Sequence, residues 1–474
     1  MRSKETPWGK CAGRLNGPAD CSLTQSRPVR GAVRQPRSIA VSTRISLRNP
    51  VARRCDMRVL VVGAGMAGLA LAQKLKAAGI DVAVFERGGA MADSLAGYGI
   101  LIDGNGQRAL RHCLPAAALD AFERTAGRAG TGVYFLDQMA RRLTAFEGSA
   151  PGQVARRSIE RLALRRILST GLDAPGGPIQ CGRTFTHYER LGTDGPIRAH
   201  FADGSHADGD VLVGADASNS RVRTQYLGQL RRLDLGITNL VGRVPLTPQL
   251  RDSLPGHLTD GSVNNVVPPG PGWMFLSAWR AAAGPGRAAD GIEDYLVWAY
   301  AAKRASLPGD VEALPGGALL EIALRRIEGW SPMLRSLLSR SDLDTVSAVP
   351  IRSMPQLPAW QPTPVTLMGD AIHNMTPMAG IGANTALRDA ALLADRLIEA
   401  AEGGKSIASA IGAYESEMRA YANPAVALSR LNAERAVNGG ALSRHLFRGF
   451  LRTVEAVPAL KRKMFADLAK KYDG

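Results

Sequence analysis

One stretch of the sequence, residues 365–390, sets an acid that we expect to be buried beside a glycine-lined helix start. The acid, Asp370, follows the apolar run VTLM at residues 365–368, which predicts a strand that stops at Gly369. A helix with one apolar face is predicted from Asn384 onwards. Its unpaired N–H groups and positive dipole end face a turn that carries Pro377, Gly380 and Gly382. An anion, or a ring that accumulates negative charge such as a reduced flavin, would be stabilised there. The alternative is an ordinary strand-turn-helix whose glycines serve only the turn.

A dinucleotide fingerprint lies earlier in the chain. Gly63, Gly65 and Gly68 follow an apolar strand and open a helix, and Glu86 closes the unit after a second strand. In such a βαβ unit of about 30 residues the glycines allow a tight turn, close approach of a pyrophosphate and helix–strand packing, while the acid accepts hydrogen bonds from a ribose diol. Arg87 is a neighbouring candidate, although a solvated side chain is the simpler interpretation. The sequence holds one such fingerprint, so a nicotinamide cofactor would bind transiently elsewhere.

Charged residues at two further predicted elements complete the candidate set. Asp216 follows a strand at residues 210–213, and Arg223 lies just beyond it in the run GADASNSRVR. Strand ends are where α/β proteins bind ligands. Arg161 lies near the start of a helix predicted for residues 157–168, and by spacing alone it is one of several exposed arginines.

The elements that must position these residues predict an α/β fold, with a Rossmann-like dinucleotide-binding domain, an inserted sheet-rich substrate domain and C-terminal helices. Buried strands are predicted at residues 58–62 and 82–85, and short alternating segments between Pro and Gly turns indicate the insertion. The predicted organisation is a leader at 1–56, the dinucleotide-binding domain in two parts at 57–230 and 348–430, the substrate domain at 231–347 and the C-terminal helices at 431–474.

The net charge of +17 does not indicate nucleic-acid binding. Residues 1–56 hold 12 of the Lys and Arg residues and 3 of the Asp and Glu residues, so the remaining chain carries +8, spread rather than clustered. The aromatic fraction is only 5%, and no basic stripe is interleaved with aromatics. No apolar run reaches the roughly 18 residues that a membrane span needs, so no integral membrane segment is expected.

The cysteines and the leader bear on the compartment. Only Cys113 and Cys181 lie beyond the leader, without metal-ligand spacing, so we expect no disulfide framework and a reducing, cytoplasmic location. The leader is rich in arginine and lacks an apolar core, so it is not a secretory signal. It is either an organellar transit peptide or the product of a start codon placed too early, and Met57, which directly precedes a strand, favours the second. We expect residues 1–56 to be disordered in both cases. The oligomeric state is not determined by the sequence.

Three motifs, GAGMAGL, GADASNSRVR and GDAIHNMTPMAGIGANTALRDA, occur in this order and resemble those of the class A flavoprotein monooxygenases. That family is typified by para-hydroxybenzoate hydroxylase and includes aromatic polyketide hydroxylases and tetracycline-modifying monooxygenases. The resemblance runs from Met57 to about the C-terminus. It implies an FAD-dependent, NAD(P)H-consuming monooxygenase that uses O₂ to hydroxylate an aromatic or polyketide-like small molecule through a C4a-hydroperoxyflavin. The cofactor carries the difficult chemistry, so no catalytic residue is assigned.

The resemblance also implies roles for the candidate residues. The ADP half of FAD would be held by Gly63, Gly65, Gly68 and Glu86. Arg161 would reach the phosphate or ribityl region, and Asp370 would hydrogen-bond the ribityl chain. The isoalloxazine ring would be lined by Pro377, Gly380, Gly382 and Asn384. Asp216 and Arg223 would contact both FAD and the pyridine nucleotide.

Two residues of these motifs, Ala217 and His373, are assigned no cofactor contact. Ala217 stands where the family has glycine, and alanine tolerates positive φ poorly, so the turn either differs or is modestly strained. This puts the nicotinamide contact in doubt more than FAD binding. His373 is expected to be a packed histidine that orients the loop.

The reaction and the substrate stay open at this point. Baeyer–Villiger oxidation or epoxidation on the same scaffold is an alternative, and so is a non-catalytic flavin-containing binding protein. The choice between NADH and NADPH is also open. A substrate pocket is expected under the sheet-rich domain, with Tyr98, Trp273, Phe275 and Met354 as candidates that could equally be core residues.

Overall fold

The computed structural model describes residues 57–89, 99–148, 154–192, 195–280 and 294–473, with side chains described to residue 466. These residues belong to one compact unit that begins at Arg54. The leader at 1–56 and the candidate pocket residue Tyr98 lie outside the described ranges, so the predictions made for them are not tested.

The strands range from 2 to 13 residues in length. In chain order they are β1 (Arg58–Val62), β2 (Asp81–Phe85), β3 (Ile100–Ile102), β4 (Gly127–Arg128), β5 (Val133–Leu136), β6 (Arg142–Phe146), β7 (Arg157–Ile159), β8 (Ile179–Gln180), β9 (Phe185–Arg190), β10 (Ile197–Phe201), β11 (His206–Gly209), β12 (Val211–Gly214), β13 (Leu233–Pro245), β14 (Val263–Val266), β15 (Trp273–Trp279), β16 (Tyr295–Lys303), β17 (Asp342–Ser353) and β18 (Val365–Leu367).

The two longest helices, α11 and α12, lie in the C-terminal part of the chain. They are α1 (Met66–Ala77), α2 (Gly104–Cys113), α3 (Ala116–Thr125), α4 (Arg161–Ser169), α5 (Arg221–Tyr226), α6 (Pro248–Ser253), α7 (Gly256–Thr259), α8 (Gly316–Arg326), α9 (Pro332–Leu338), α10 (Asp370–His373), α11 (Gly382–Ala401), α12 (Ile407–Asn438), α13 (Ala441–Ala456) and α14 (Pro458–Asp473). None of the described helices is long and apolar enough to cross a membrane.

A parallel sheet forms the centre of the first domain, with strand order β18-β12-β1-β2-β8. Its strands are almost continuously apolar, as parallel strands covered on both faces must be. Helix α1 packs against α11, α2 and α4. This arrangement confirms the predicted α/β fold class with its Rossmann-like unit and C-terminal helices.

A second, seven-stranded sheet has the order β17-β13-β16-β15-β14-β5-β6 and is antiparallel except between β14 and β5. It is larger than the insertion predicted at 231–347, because β5 and β6 precede residue 231 and β17 continues to Ser353. Strands β5 and β6 join this sheet through the pairing of β5 with β14, which is distant in the chain. The alternation within each short strand does not predict that partner. One face of the sheet packs on α8 and α9, and the other packs on the C-terminal half of α12.

Helix α12 connects the two domains. Its side chains Ser429 and Asn432 hydrogen-bond the turn before α11, while Ala433 and Ala436 pack on the seven-stranded sheet near Ile237. The distance between that turn and the sheet is therefore fixed by one rigid element.

Candidate functional site

The three sequence motifs meet at one edge of the parallel sheet. The register aligns the last residues of four neighbouring strands, Leu367, Gly214, Val62 and Phe85. The residues that follow them in the chain, and with them all three motifs, therefore lie along the carboxyl edge, where open α/β sheets bind ligands.

The glycine fingerprint forms a tight turn whose first and third glycines are required by packing. Gly63 has φ 112°, and a Cβ there would lie 2.3 Å from the carbonyl oxygen of Ala215. A Cβ on Gly68 would lie 2.2 Å from the carbonyl oxygen of Gly63. At Gly65 a Cβ would meet no atom within 4 Å, and α1 begins directly after it without a side-chain cap. Open space above an uncapped helix start suits a phosphate group.

Glu86 lies at the end of β2 and is engaged with the same turn. Its carboxylate accepts hydrogen bonds from the backbone N–H of Ala64 (3.1 Å) and of Gly88 (3.0 Å). It also lies 3.2 Å from a guanidinium nitrogen of Arg165, which donates a hydrogen bond to the carbonyl oxygen of Ala64 at 2.9 Å. Arg87 points into solvent. Arg165 is not among the residues predicted from the sequence; its position one helical turn after Arg161, on the buried side of α4, was the available signal.

Arg161 is the first residue of α4 and is half-buried. It makes no hydrogen bond or ion pair with any residue in the described ranges, so its charge is available to an anion. The helix predicted for 157–168 begins later than expected, because residues 157–159 pair with β3 and β4 as strand β7. The β-branched Ile159 and the pairing partners decide this boundary, which helical periodicity alone cannot locate.

The middle motif forms a strained turn. Ala217 has φ 61°, so alanine adopts here the left-handed conformation that glycine prefers. Oδ2 of Asp216 accepts hydrogen bonds from the N–H groups of Arg221 (2.7 Å) and Val222 (3.3 Å) at the start of α5. Its Oδ1 is buried without a partner in the described part of the chain, and burial raises the pKa of this carboxyl.

Arg223 links the middle motif to the third. Its buried guanidinium donates to the carbonyl oxygens of Ala371 (2.6 Å) and Ser218 (3.0 Å). Two of its nitrogens therefore hold α10 against α5, while its buried Nε has no partner among the described residues. A direct nucleotide contact through Nη1 or Nη2, which the resemblance implies for Arg223, would have to compete with these two hydrogen bonds.

The sequence predicts that Asp370 is the buried acid of the third motif, but the buried acid is Asp389. Asp370 is exposed at the start of α10, directly after Gly369, which has φ 60°. Strand β18 already ends at Leu367, so Asp370 lies beyond it at the carboxyl edge of the sheet and the strand does not bury it. Two alanines close on this turn from α1 and α11: a Cβ on Gly369 would lie 3.2 Å from that of Ala386 and 3.7 Å from that of Ala67.

Asp389 is fully buried and accepts three hydrogen bonds. The donors are the N–H of Gly369 (2.7 Å), the hydroxyl of Tyr421 (2.6 Å) and Nε2 of His373 (2.6 Å). Burial lowers the pKa of His373, but the adjacent carboxylate outweighs this and the pKa is raised. His373 is thus a packed histidine, and the network fixes the backbone on which Asp370 stands.

The turn before α11 exposes backbone groups, as expected for a surface that contacts a planar ring. Pro377 and Gly380 are exposed, and Gly380 has φ 67°. Helix α11 starts at Gly382 without a side-chain cap. Asn384, in contrast, is buried, and its amide bonds the backbone of residues 101 and 103 at the β3–α2 junction. Only its backbone can face the turn.

These features fit an extended, anionic cofactor with a planar ring. The edge offers two uncapped helix starts, a glycine with open space above it, a half-buried arginine and an exposed acid. Their chemistry is that of a site for a dinucleotide whose ring accepts negative charge.

Comparison with known proteins agrees with this geometry. Residues 58–219 match the family of FAD dependent oxidoreductases, and residues 328–429 match the FAD binding domain family. A solved structure assigned as an FAD containing monooxygenase, from Photorhabdus luminescens subsp. laumondii TTO1, is 42% identical with a TM-score of 0.73; the match covers 81% of this chain and 99% of that one. The chain belongs to the FAD-dependent monooxygenases. The predicted family, enzyme class and FAD cofactor are thereby confirmed.

Curated FAD-dependent monooxygenases are also similar. The dual O-methyltransferase/FAD-dependent monooxygenase elcB of Phaeosphaeria nodorum is 31% identical over 443 residues, which cover 80% of this chain and 46% of that protein. The chain thus spans about half the length of this relative. The FAD-dependent urate hydroxylase of Klebsiella oxytoca is 27% identical over 379 residues, covering 76% of this chain and 85% of that protein.

Proposed function

We propose that this FAD-dependent monooxygenase hydroxylates an aromatic or polyketide-like small molecule with O₂ and NAD(P)H. The overall reaction converts a substrate C–H bond to C–OH, reduces the second oxygen atom to water and oxidises NAD(P)H to NAD(P)⁺. The observation that carries the proposal is the dinucleotide edge of the parallel sheet, whose turn before α11 is linked by α12 to the seven-stranded sheet. A flavin hydroxylase requires one bound cofactor and a second surface beside it that can hold the substrate.

FAD, when bound, supplies the activation of O₂. The residues of the chain would bind and orient it. We propose that the ADP half lies along Gly63, Gly65, Gly68 and Glu86, with Arg161 at the phosphates. The exposed carboxylate of Asp370 would accept a hydrogen bond from the ribityl chain. Backbone at Pro377, Gly380, Gly382 and Asn384 would line the ring, and the start of α11 would stabilise negative charge on it.

The contacts of the middle motif support an indirect role for Arg223. We propose that it holds α10, and therefore Asp370, in place, while Asp216 shapes the turn. The pyridine nucleotide would bind transiently. The two described cysteines are free, which supports a cytoplasmic location as part of the same proposal.

The test is oxidation of NADH and of NADPH by the purified holoenzyme with a panel of phenols and polyketides, under ¹⁸O₂. We expect substrate-stimulated oxidation and a product that carries one ¹⁸O atom. Product analysis also separates hydroxylation from epoxidation and from Baeyer–Villiger insertion. Bound FAD without turnover of any substrate would instead favour a flavin-containing binding protein.

A further inference from the structure

Helix α13 turns apolar side chains away from the rest of the protein. Leu442, Leu446 and Phe450 occur at every fourth position, so they form a row along one side of the helix. Leu442 is 74% exposed, Leu446 is 66% exposed and Phe450 is 45% exposed. Val457, directly after the helix, is 42% exposed. We call these four side chains the outer stripe.

The inner side of α13 carries charged groups that are bonded within the protein. Arg444 and Arg448 are buried; the first donates a hydrogen bond to the backbone before β15 (2.8 Å) and the second to Oε1 of Gln138 (3.0 Å). Glu455, the only acid in the helix, is paired with Lys461 at 2.8 Å. A helix that meets only water on its outer side normally shows the reverse pattern. The outer stripe therefore indicates a surface that contacts another apolar phase.

Packing of the inner side fixes the orientation of α13. Leu451 is buried against Leu143 and Val267, and the ring centroid of Phe447 lies 6.3 Å from that of Trp273. Turning the outer stripe inwards would remove these contacts and expose the buried arginines. The stripe is thus held outwards by the fold.

Unpaired cations accompany the outer stripe. Arg452 is exposed and lies roughly 80° around the helix from Leu442, at about 3.6 residues per turn. Arg462 and Lys463 are exposed on α14, which follows directly. None of these three cations makes an ion pair with a residue in the described ranges. Residues 441–474 hold eight Lys and Arg residues and three Asp and Glu residues. An apolar stripe beside surplus cations is typical of helices that lie in an anionic lipid surface.

A second copy of the chain suits this surface less well. The 16 residues of α13 span about 24 Å, so a stripe roughly 10 Å wide offers on the order of 240 Å². A stable protein interface buries about 800 Å² on each partner. A second copy would also bring the same cations to the contact, while Glu455 is already paired.

We propose that the outer stripe docks on the surface of an anionic lipid bilayer. The apolar side chains would lie at the boundary of the acyl chains, and Arg452, Arg462 and Lys463 would lie at the lipid phosphates. Helix α13 would rest on the bilayer without crossing it. Docking of this kind does not depend on the reaction at the cofactor edge.

The test is sedimentation of the FAD-loaded enzyme with vesicles of phosphatidylcholine alone and of an equimolar mixture with phosphatidylglycerol. We expect binding to the mixed vesicles and release as salt is raised, since screening weakens the attraction of the cations. Leu442→Gln combined with Leu446→Gln should lower the partition coefficient at least about tenfold, because two apolar side chains no longer leave water. Arg452→Gln should lower it about fivefold.

Matched controls lie at the opposite edge of the seven-stranded sheet. Helix α13 packs on β6 at one edge, and β17 forms the other. Leu343→Gln changes a leucine of β17 that is 49% exposed, and Arg340→Gln changes an exposed arginine just before that strand. Both controls should bind the vesicles like the unchanged enzyme. Because residues 1–56 are also basic, the comparison between matched variants decides the test.

Three results would overturn the inference: no binding to the mixed vesicles, equal binding to both kinds of vesicle, or the same loss in Leu343→Gln as in the outer-stripe variant. Sedimentation velocity without vesicles tests the remaining occupant. We expect the unchanged enzyme and the outer-stripe variant to have the same mass. A mass that falls in the variant would identify the stripe as a contact between copies of the chain and would also overturn the inference.

Discussion

Two glycine substitutions in the fingerprint should separate the fold from the cofactor site. Gly65 has φ −77° and ψ 179°, which any residue can adopt, and a Cβ there meets nothing within 4 Å. Gly65→Ala should therefore change the stability of the FAD-free protein by less than about 1 kcal/mol. Gly68→Ala places a Cβ 2.2 Å from the carbonyl oxygen of Gly63 and 3.2 Å from a methyl group of Val61. Backbone must move, and we expect a loss of about 3 kcal/mol or more.

The two substitutions should weaken FAD binding for different reasons. If the pyrophosphate approaches the backbone at Gly65, the added methyl group of Gly65→Ala occupies that space directly. A tenfold to hundredfold rise in the dissociation constant, about 1.4 to 2.7 kcal/mol, is expected without loss of the fold. Gly68→Ala should weaken FAD binding only indirectly, because it displaces the turn itself.

The assay pairs urea denaturation of the FAD-free protein with a fluorescence titration of FAD. Gly256→Ala is a matched control, because a Cβ on Gly256 also meets nothing within 4 Å and this residue starts α7, away from the sheet edge. Unchanged FAD affinity in Gly65→Ala would refute the proposed approach of the cofactor to this backbone. Unchanged stability in Gly68→Ala would refute the packing argument.

Three further substitutions test the third motif and its support. Asp370→Ala should abolish FAD retention on gel filtration, since it removes the exposed carboxylate proposed for the ribityl chain; a fully loaded yellow protein would contradict the assignment. Asp389→Asn should destabilise the protein by roughly 2–4 kcal/mol in urea, because one carboxylate oxygen that accepts buried hydrogen bonds becomes a donor. The raised pKa of His373 adds stability that is lost as the pH rises through that pKa, and Asp389→Asn should lack this dependence. Glu415→Gln tests a buried acid on α12: burial raises the pKa of Glu415 from 4.5 to about 7, so the unchanged protein should lose stability between these pH values. Above them the variant, which can still accept the hydrogen bond from Thr366, should be more stable by on the order of 2 kcal/mol, and equal stability at high pH would show that Glu415 ionises freely.

Local patterns were sufficient for the fold class and for the positions of the three motifs. The apolar run at residues 58–62, the glycine spacing after it and the helix that starts near Gly382 are each short-range features. They depend on backbone conformation and on burial over a few residues, and both are encoded locally. The same locality explains the error at 157–168, where partners from β3 and β4 convert the first residues to a strand.

The chemical state of each side chain depended on partners far away in the chain. Sequence could not show that Asp370 is exposed and Asp389 buried, because the buried acid is defined by Tyr421 and by His373. Nor could it show that Arg165 reaches Glu86 or that Arg223 donates a hydrogen bond to the backbone of α10.

By itself the sequence determined which cofactor chemistry this chain is built for: glycines, strand ends and helix starts at fixed spacing are sufficient to place a flavin edge. Only the tertiary structure decided which face of the seven-stranded sheet is turned towards that edge. The alternation in β15 predicts two faces but not which one is covered, since α8, α9 and α12 arrive from elsewhere in the chain. That choice leaves Phe275 half-exposed.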